Sequence, residues 1–401
     1  MEKSLSEATI RFSKFEKIIL RAMVTQVTPI IIGQPGVGKT TAMYHLASKL
    51  GRSVTSLLGA IIDPTVDISG LPVIVTEMLE IDGKKFPVTC YAPRKNIAKV
   101  AEDGGFIVLD DFLTCSLQVQ AALLQAVLEK RFGDLQLNRE KTCIVALANP
   151  IESTPNGQEL APAMGNRFAM YDFPLDVEEW TNNYPSFWGN PPKLGFSKPF
   201  DLDEKFYSRA RSIGAGFIKK SPDKLHMFPK EASLQSKPYP SPRSIDHAVR
   251  HVAAVLADGL PIVEATPHMA ACIGDGVAGE FVRWAKQADL PDPEDMLADP
   301  VGFPLPKAGD VLFSALTSVA GAVVIKTDAK RWLAAWKIFQ RAAEGKAADI
   351  GAAAALQLAC LWKDHPQLPR PTKEILPYAA ILEDACLLPT LQPKKVKATT
   401  P

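Results

Sequence analysis

The run GQPGVGKT, Gly33 to Thr40, constrains this chain more than any other stretch. It fits the spacing G-x-x-x-x-G-K-[ST]. Glycines there let successive backbone N–H groups point into one concavity, and a helix that follows adds its own unpaired N–H groups and the positive end of its dipole. Such a loop works only between a strand and a helix. Pro29-Ile30-Ile31-Ile32 ahead of it is a short apolar run of buried-strand type, and TAMYHLASKL behind it carries Met43, Leu46, Ala47 and Leu50 at helical spacing. The required order is present. The expected phosphate-contacting set is Gly33, Gly36, Val37, Gly38, Lys39, Thr40 and Thr41, with Lys39 reaching the β and γ phosphates of a nucleotide and the Thr40 hydroxyl holding Mg²⁺. Pro35 stiffens the loop and removes one donor, which leaves enough N–H groups for the task.

Two further apolar runs supply partners for the loop. GGFIVLDDF has the continuous hydrophobicity of a central parallel strand and ends on two carboxylates, Asp110 and Asp111. In open α/β sheets ligands bind at that carboxyl end. Asp110 is expected to hold Mg²⁺ through its water shell, and Asp111 to polarise an attacking water. TCIVALANP ends on Asn149, whose side-chain amide can contact both a terminal phosphate and that water.

Taken together, GQPGVGKT, FIVLDDF, LQVQAALLQAVLEKR, IVALANPIE, GNRFAMYDFPL and PSPRSIDHAVRHVA resemble the AAA+ ATPases of the MoxR kind, in order and spacing, from about Ile18 to Ala254. The resemblance implies ATP and Mg²⁺ as cofactors, Asn149 as sensor 1, Arg167 as a finger reaching the neighbouring subunit, and Arg243 as sensor 2. It also implies a homo-oligomeric, hexameric ring, a protein substrate, and a partner with a von Willebrand A domain. Asp111 stands where that family usually has glutamate. An aspartate carboxylate sits back by about 1.5 Å, and a misplacement of about 1 Å can cost around a hundredfold in rate. Slow hydrolysis is therefore expected.

By chemistry alone, Arg167 is an always-charged fork able to span phosphate oxygens. Arg243 opens the run Ile245, Ala248, Val249, Val252, Leu256, an amphipathic helix with Ser244 near its start, where it could face a nucleotide held between two domains. Alternation around Val73, Val75, Met78, Leu79, Ile81 and Phe86, with Asp82-Gly83 between, reads as a β-hairpin. On the resemblance it is an insert facing a central pore, with Lys84, Lys85 and Phe86 gripping a partner. A second hairpin is expected in RFGDLQLNREKTCIV. The Pro- and aromatic-rich stretch YPSFWGNPPKLGFSKP cannot form a regular element, and beyond it the chain reads as helical, with Trp332, Trp336 and Phe339 at core spacing.

The expected fold is an α/β P-loop NTPase (AAA+) core with a parallel sheet and β-hairpin inserts, followed by an all-α lid and a helical C-terminal region. The expected domains are 1–180 for the nucleotide-binding core, 181–200 for the linker, 201–300 for the lid, and 301–401 for a helical extension with a basic tail. Lys plus Arg number 45 against 44 Asp plus Glu, so no overall field draws the chain to nucleic acid. The charged N-terminus lacks a signal-peptide core and no run is long enough for a membrane span, so a cytoplasmic protein is expected. The six cysteines show no paired spacing that would suggest zinc or a disulfide framework. The leading reading is an ATP-driven remodeller of a partner protein. The alternative is a nucleic-acid-translocating motor or restriction component tracking phosphates with Lys84 and Lys85. A P-loop kinase acting on a small molecule is a third, which explains neither Asn149 nor the long helical second half.

Overall fold

The computed structural model describes residues 14–81, 84–154, 157–173, 175–189, 203–235, 237–385 and 387. They fall into two compact units, one ending at Leu175 and the other beginning at Asp176.

The first unit is built in chain order from α1 (Lys14–Thr25), β1 (Thr28–Ile32), α2 (Lys39–Lys49), β2 (Ser53–Leu58), the long hairpin β3 (Leu71–Ile81) and β4 (Lys84–Ala92), and α3 (Lys95–Asp103). Then come β5 (Gly105–Asp110), α4 (Leu117–Glu129), the two-residue strands β6 (Arg131–Phe132) and β7 (Leu135–Gln136), β8 (Thr142–Ala148), the single turn α5 (Pro162–Gly165) and β9 (Phe168–Asp172). The main sheet has the order β2-β5-β8-β1-β9, parallel throughout. Its central strands read as unbroken apolar runs because both faces are covered. Along β5, Ile107 and Leu109 join Ile97, Val100, Val119 and Leu123 from α3 and α4 on one face. Phe106 and Val108 join Phe15, Ile19, Met43 and Leu46 from α1 and α2 on the other. The two-residue side-chain period of a strand thus feeds two separate cores from one run.

Both expected hairpins form, with differences. β3 and β4 pair antiparallel with a register shift between Val75 and Met78, and the expected turn residues Asp82 and Gly83 lie outside the described residues. Val73, Met78 and Phe86 are exposed, so within the described residues their alternation does not serve a core. The second hairpin is only β6 and β7, paired through Arg131 with Gln136 and Phe132 with Leu135. Asn138, whose carbonyl accepts from the N–H groups of Lys141 and Thr142, turns the chain from there into β8.

The second unit is helical: α6 (Val177–Asn183), α7 (Glu204–Lys220), α8 (Pro242–Ala257), α9 (Thr266–Ile273), α10 (Asp275–Ala288), α11 (Pro293–Ala298), α12 (Gly309–Ile325), α13 (Ala329–Glu344), α14 (Ala348–Ala359), α15 (Leu361–Asp364) and α16 (Ala379–Asp384). The helix α12 is buried almost all round and packs on α7 at small residues. Gly216 faces Ser314, Gly321 faces Ser208, and the Ser314 hydroxyl donates to the Ser212 carbonyl at 2.9 Å. A Cβ at either glycine would overlap the facing serine, so glycine is what allows the close approach. Trp332, Trp336 and Phe339 of α13 are fully buried, as their spacing suggested. Trp332→Ala is expected to lower the stability of this unit by about 3–5 kcal/mol, since the indole N–H also donates to the Pro369 carbonyl at 2.9 Å. The shift of the helical unit's denaturant midpoint measures this. Among the described residues no helix is long and apolar enough to cross a membrane.

Candidate functional site

The carboxyl ends of three adjacent strands converge. β1 runs into the loop 33–38, β5 ends at Asp110 and β8 ends just before Asn149. The Gly33 N–H donates to the Ala148 carbonyl at 3.1 Å and ties the loop to β8. A Cβ on Gly33 would stand 2.5 Å from Cβ of Phe173, so this loop entrance requires glycine. Gly36 and Gly38 take φ of 79° and 97°, the left-handed region that glycine occupies freely. Gly38 then caps α2, with Lys39, Thr40 and Thr41 in the first turn. Val37 is buried, whereas Thr41 is exposed.

Lys39 is buried, and its ammonium lies 2.6 Å from the Gly33 carbonyl, 3.1 Å from the Gln34 carbonyl and 2.8 Å from Oδ1 of Asn149. The other end of the same amide, Nδ2 of Asn149, donates to Oδ1 of Asp111 at 3.0 Å. An ammonium only donates and a carboxylate only accepts, so this arrangement fixes which way the Asn149 amide points. The Thr40 hydroxyl donates to Oδ2 of Asp110 at 3.0 Å, and Oδ1 of Asp110 receives the Asp111 N–H at 3.1 Å. A hydroxyl and a carboxylate side by side form a set of hard oxygen donors of the kind Mg²⁺ takes in few-ligand, water-rich coordination. The loop's N–H concavity and the lysine beside it suit the phosphates that such a cation accompanies. The residues present therefore fit a Mg²⁺–nucleotide. The core is a P-loop α/β fold.

Five residues singled out in the sequence, Lys39, Thr40, Asp110, Asp111 and Asn149, meet in one hydrogen-bonded group. Arg167 does not join it. It precedes β9, and β9 runs parallel to β1 with Phe168 opposite Thr28 and Asp172 opposite Ile32. At ~3.3 Å per residue the strand length separates Arg167 from its own loop by roughly 15 Å. Arg243 lies in the helical unit, exposed in the first turn of α8, where Ser241 and Ser244 form a reciprocal capping box.

Several residues around the group escaped the sequence reading. Gln120, fully buried in α4, donates to the Glu159 carbonyl at 3.2 Å and accepts from the Ala161 N–H at 2.9 Å, anchoring the segment that leads to Arg167. A glutamine amid the apolar run LQVQAALL was the available signal. Asp111 has φ 50° and ψ 45°, a left-handed conformation that costs of order 1–3 kcal/mol outside glycine and tends to mark functional sites. Cys115, directly after the short turn Phe112–Thr114, is fully buried, and burial pushes its thiol up to about 12, away from the reactive thiolate.

No family model matches the chain. No curated protein matches it either. Among solved structures, the Thermotoga maritima RuvB Holliday junction branch migration motor is similar at 13% identity over 72% of this chain and 74% of its own, with a TM-score of 0.33. A provisionally named ATPase of Cytophaga hutchinsonii is similar at 15% identity over 70% of this chain and 93% of its own, with a TM-score of 0.32. At these scores the likeness adds nothing to the fold, which is read from the strand order and the loop.

Proposed function

We propose that the chain is a Mg²⁺-dependent ATPase that converts ATP and water to ADP and phosphate, and that it works in the cytoplasm as a ring-forming AAA+ remodeller of MoxR type. The observation that carries this reading is the Asn149 amide, which bridges Lys39 at 2.8 Å and Asp111 at 3.0 Å beside the Thr40–Asp110 pair. Lys39 and the N–H groups of Gly36, Val37, Gly38, Thr40 and Thr41 bind phosphate oxygens. Thr40 and Asp110 hold Mg²⁺, which supplies charge neutralisation on the phosphates when bound. Asp111 accepts the proton of the attacking water, and Asn149 keeps that carboxylate in register with the lysine. Arg167 stabilises transferring charge in the neighbouring subunit, and Arg243 reports the bound nucleotide to the helical unit. A homohexameric ring, a protein substrate and a von Willebrand A domain partner belong to the same proposal.

ATP turnover per chain, measured against protein concentration, tests it. Turnover should rise steeply and then level off as shared sites assemble, and its plateau should stay well below ~1 s⁻¹ because Asp111 is short. Constant turnover per chain at every concentration would refute the shared site. The second reading, a nucleic-acid motor, is favoured by the exposed Lys84, Lys85 and Phe86 on β4. Steeply salt-dependent binding to single or double strands would select it.

A further inference from the structure

The left-handed turn at Asp111 is held through its carbonyl. The Asp111 carbonyl accepts from the Thr114 N–H at 2.8 Å and from the Thr114 hydroxyl at 2.7 Å. Beside the Thr114 hydroxyl stands Gly59, just after β2. A Cβ there would lie 2.5 Å from the Asp111 carbonyl oxygen, 2.9 Å from the Thr114 hydroxyl and 3.0 Å from the Cys115 sulfur. The carbonyl therefore has two donors, with Gly59 packed against both it and the Thr114 hydroxyl. Fixing the plane of that peptide fixes ψ of Asp111, and with it the direction of the side chain relative to the turn Phe112–Thr114 that follows. The carboxylate it aims is received by Asn149 at 3.0 Å.

We propose that Thr114, seated against Gly59, is a positioning residue for Asp111: its hydroxyl holds the left-handed turn that delivers the short carboxylate to Asn149. The inference rests on the ATPase reading, in which Asp111 is the group that handles water. A threonine that merely capped the short turn Phe112–Thr114 would contribute to folding alone. A positioning threonine acts on the rate of the chemical step while leaving nucleotide binding, which belongs to the 33–41 loop, in place.

The test compares Thr114→Val, which keeps the shape and removes the donor, with Thr114→Ser, which keeps the donor. Steady-state ATP turnover, ATP affinity and thermal unfolding are measured on the full chain. Thr114→Val should lower kcat by about ten- to a hundredfold with ATP affinity little changed, and Thr114→Ser should recover most of the loss. In an Asp111→Asn background, Thr114→Val should have no further effect, because both changes remove the same contribution. Wild-type kcat in Thr114→Val overturns the inference, as do effects of the two substitutions that multiply independently. Should Thr114→Val fold poorly, Gly59→Ala presses on the same carbonyl and should show the same kcat-selective loss. Wild-type kcat there equally overturns the inference. A wild-type chain with no turnover at all removes the ATPase reading itself, whereas turnover that depends on Lys39 but ignores Thr114 removes only the inference.

Discussion

Lys39→Ala is expected to reduce ATP turnover by about a thousandfold or more. Lys39 is 7% exposed, and its ammonium lies within hydrogen-bonding distance of the Gly33 carbonyl, the Gln34 carbonyl and Oδ1 of Asn149. Removing it leaves three oxygens facing one another without their common donor and, on the proposed ATPase reading, takes away the cation beside the transferring phosphate. The second effect reaches further than the first. Asn149 loses the partner that orients its amide, so the contact that aligns Asp111 weakens as well. The loss should therefore appear in both ATP affinity and kcat, in contrast to the kcat-selective loss from Thr114→Val. Phosphate release at saturating ATP, with affinity measured separately, decides it. Turnover within tenfold of wild type would mean that this loop is not where hydrolysis occurs.

Arg167→Ala carries the other large effect, a loss of about 10³-fold or more in turnover with ATP affinity retained. Its basis is placement. Arg167 enters β9 beside the start of β1, and the length of the strand separates it from the loop at the other end. An arginine so placed has no reach to its own cradle, so any contribution to hydrolysis must be made on another copy. Mixing supplies the decisive measurement. Lys39→Ala chains retain Arg167, and Arg167→Ala chains retain the loop, so a mixture of the two should recover turnover that neither has alone. A mixture as inactive as its components would remove Arg167 from the reaction.

The sheet was legible because its central strands are covered on both faces, which turns β1, β5 and β8 into continuous apolar runs with polar residues at their carboxyl ends. Lys39, Thr40, Asp110, Asp111 and Asn149 could be placed near one another for that reason: each lies at or beyond the carboxyl end of a strand of one parallel sheet. What stayed hidden depends on contacts between segments far apart in sequence. Gly59 looks like an ordinary turn glycine until the Asp111 carbonyl is brought against it. Thr114 gives no local sign that its hydroxyl turns back three residues to the carbonyl of the left-handed Asp111. The apolar alternation of β3 and β4 marked the hairpin correctly, yet Val73, Met78 and Phe86 are exposed, because a period-2 pattern specifies a face without saying what covers it.

The close packing of α7 on α12 bears on how the chain is made. About 90 residues lie between the end of α7 at Lys220 and the start of α12 at Gly309. At ~5–20 residues per second, a ribosome needs roughly 5–20 s to supply them. Throughout that interval the side of α7 that meets α12 has been synthesised and α12 has not, whereas every strand of the main sheet is already complete by Asp172. The α/β unit can finish folding during translation while the helical unit waits, so chaperone demand in the cell should concentrate on nascent chains between these two helices.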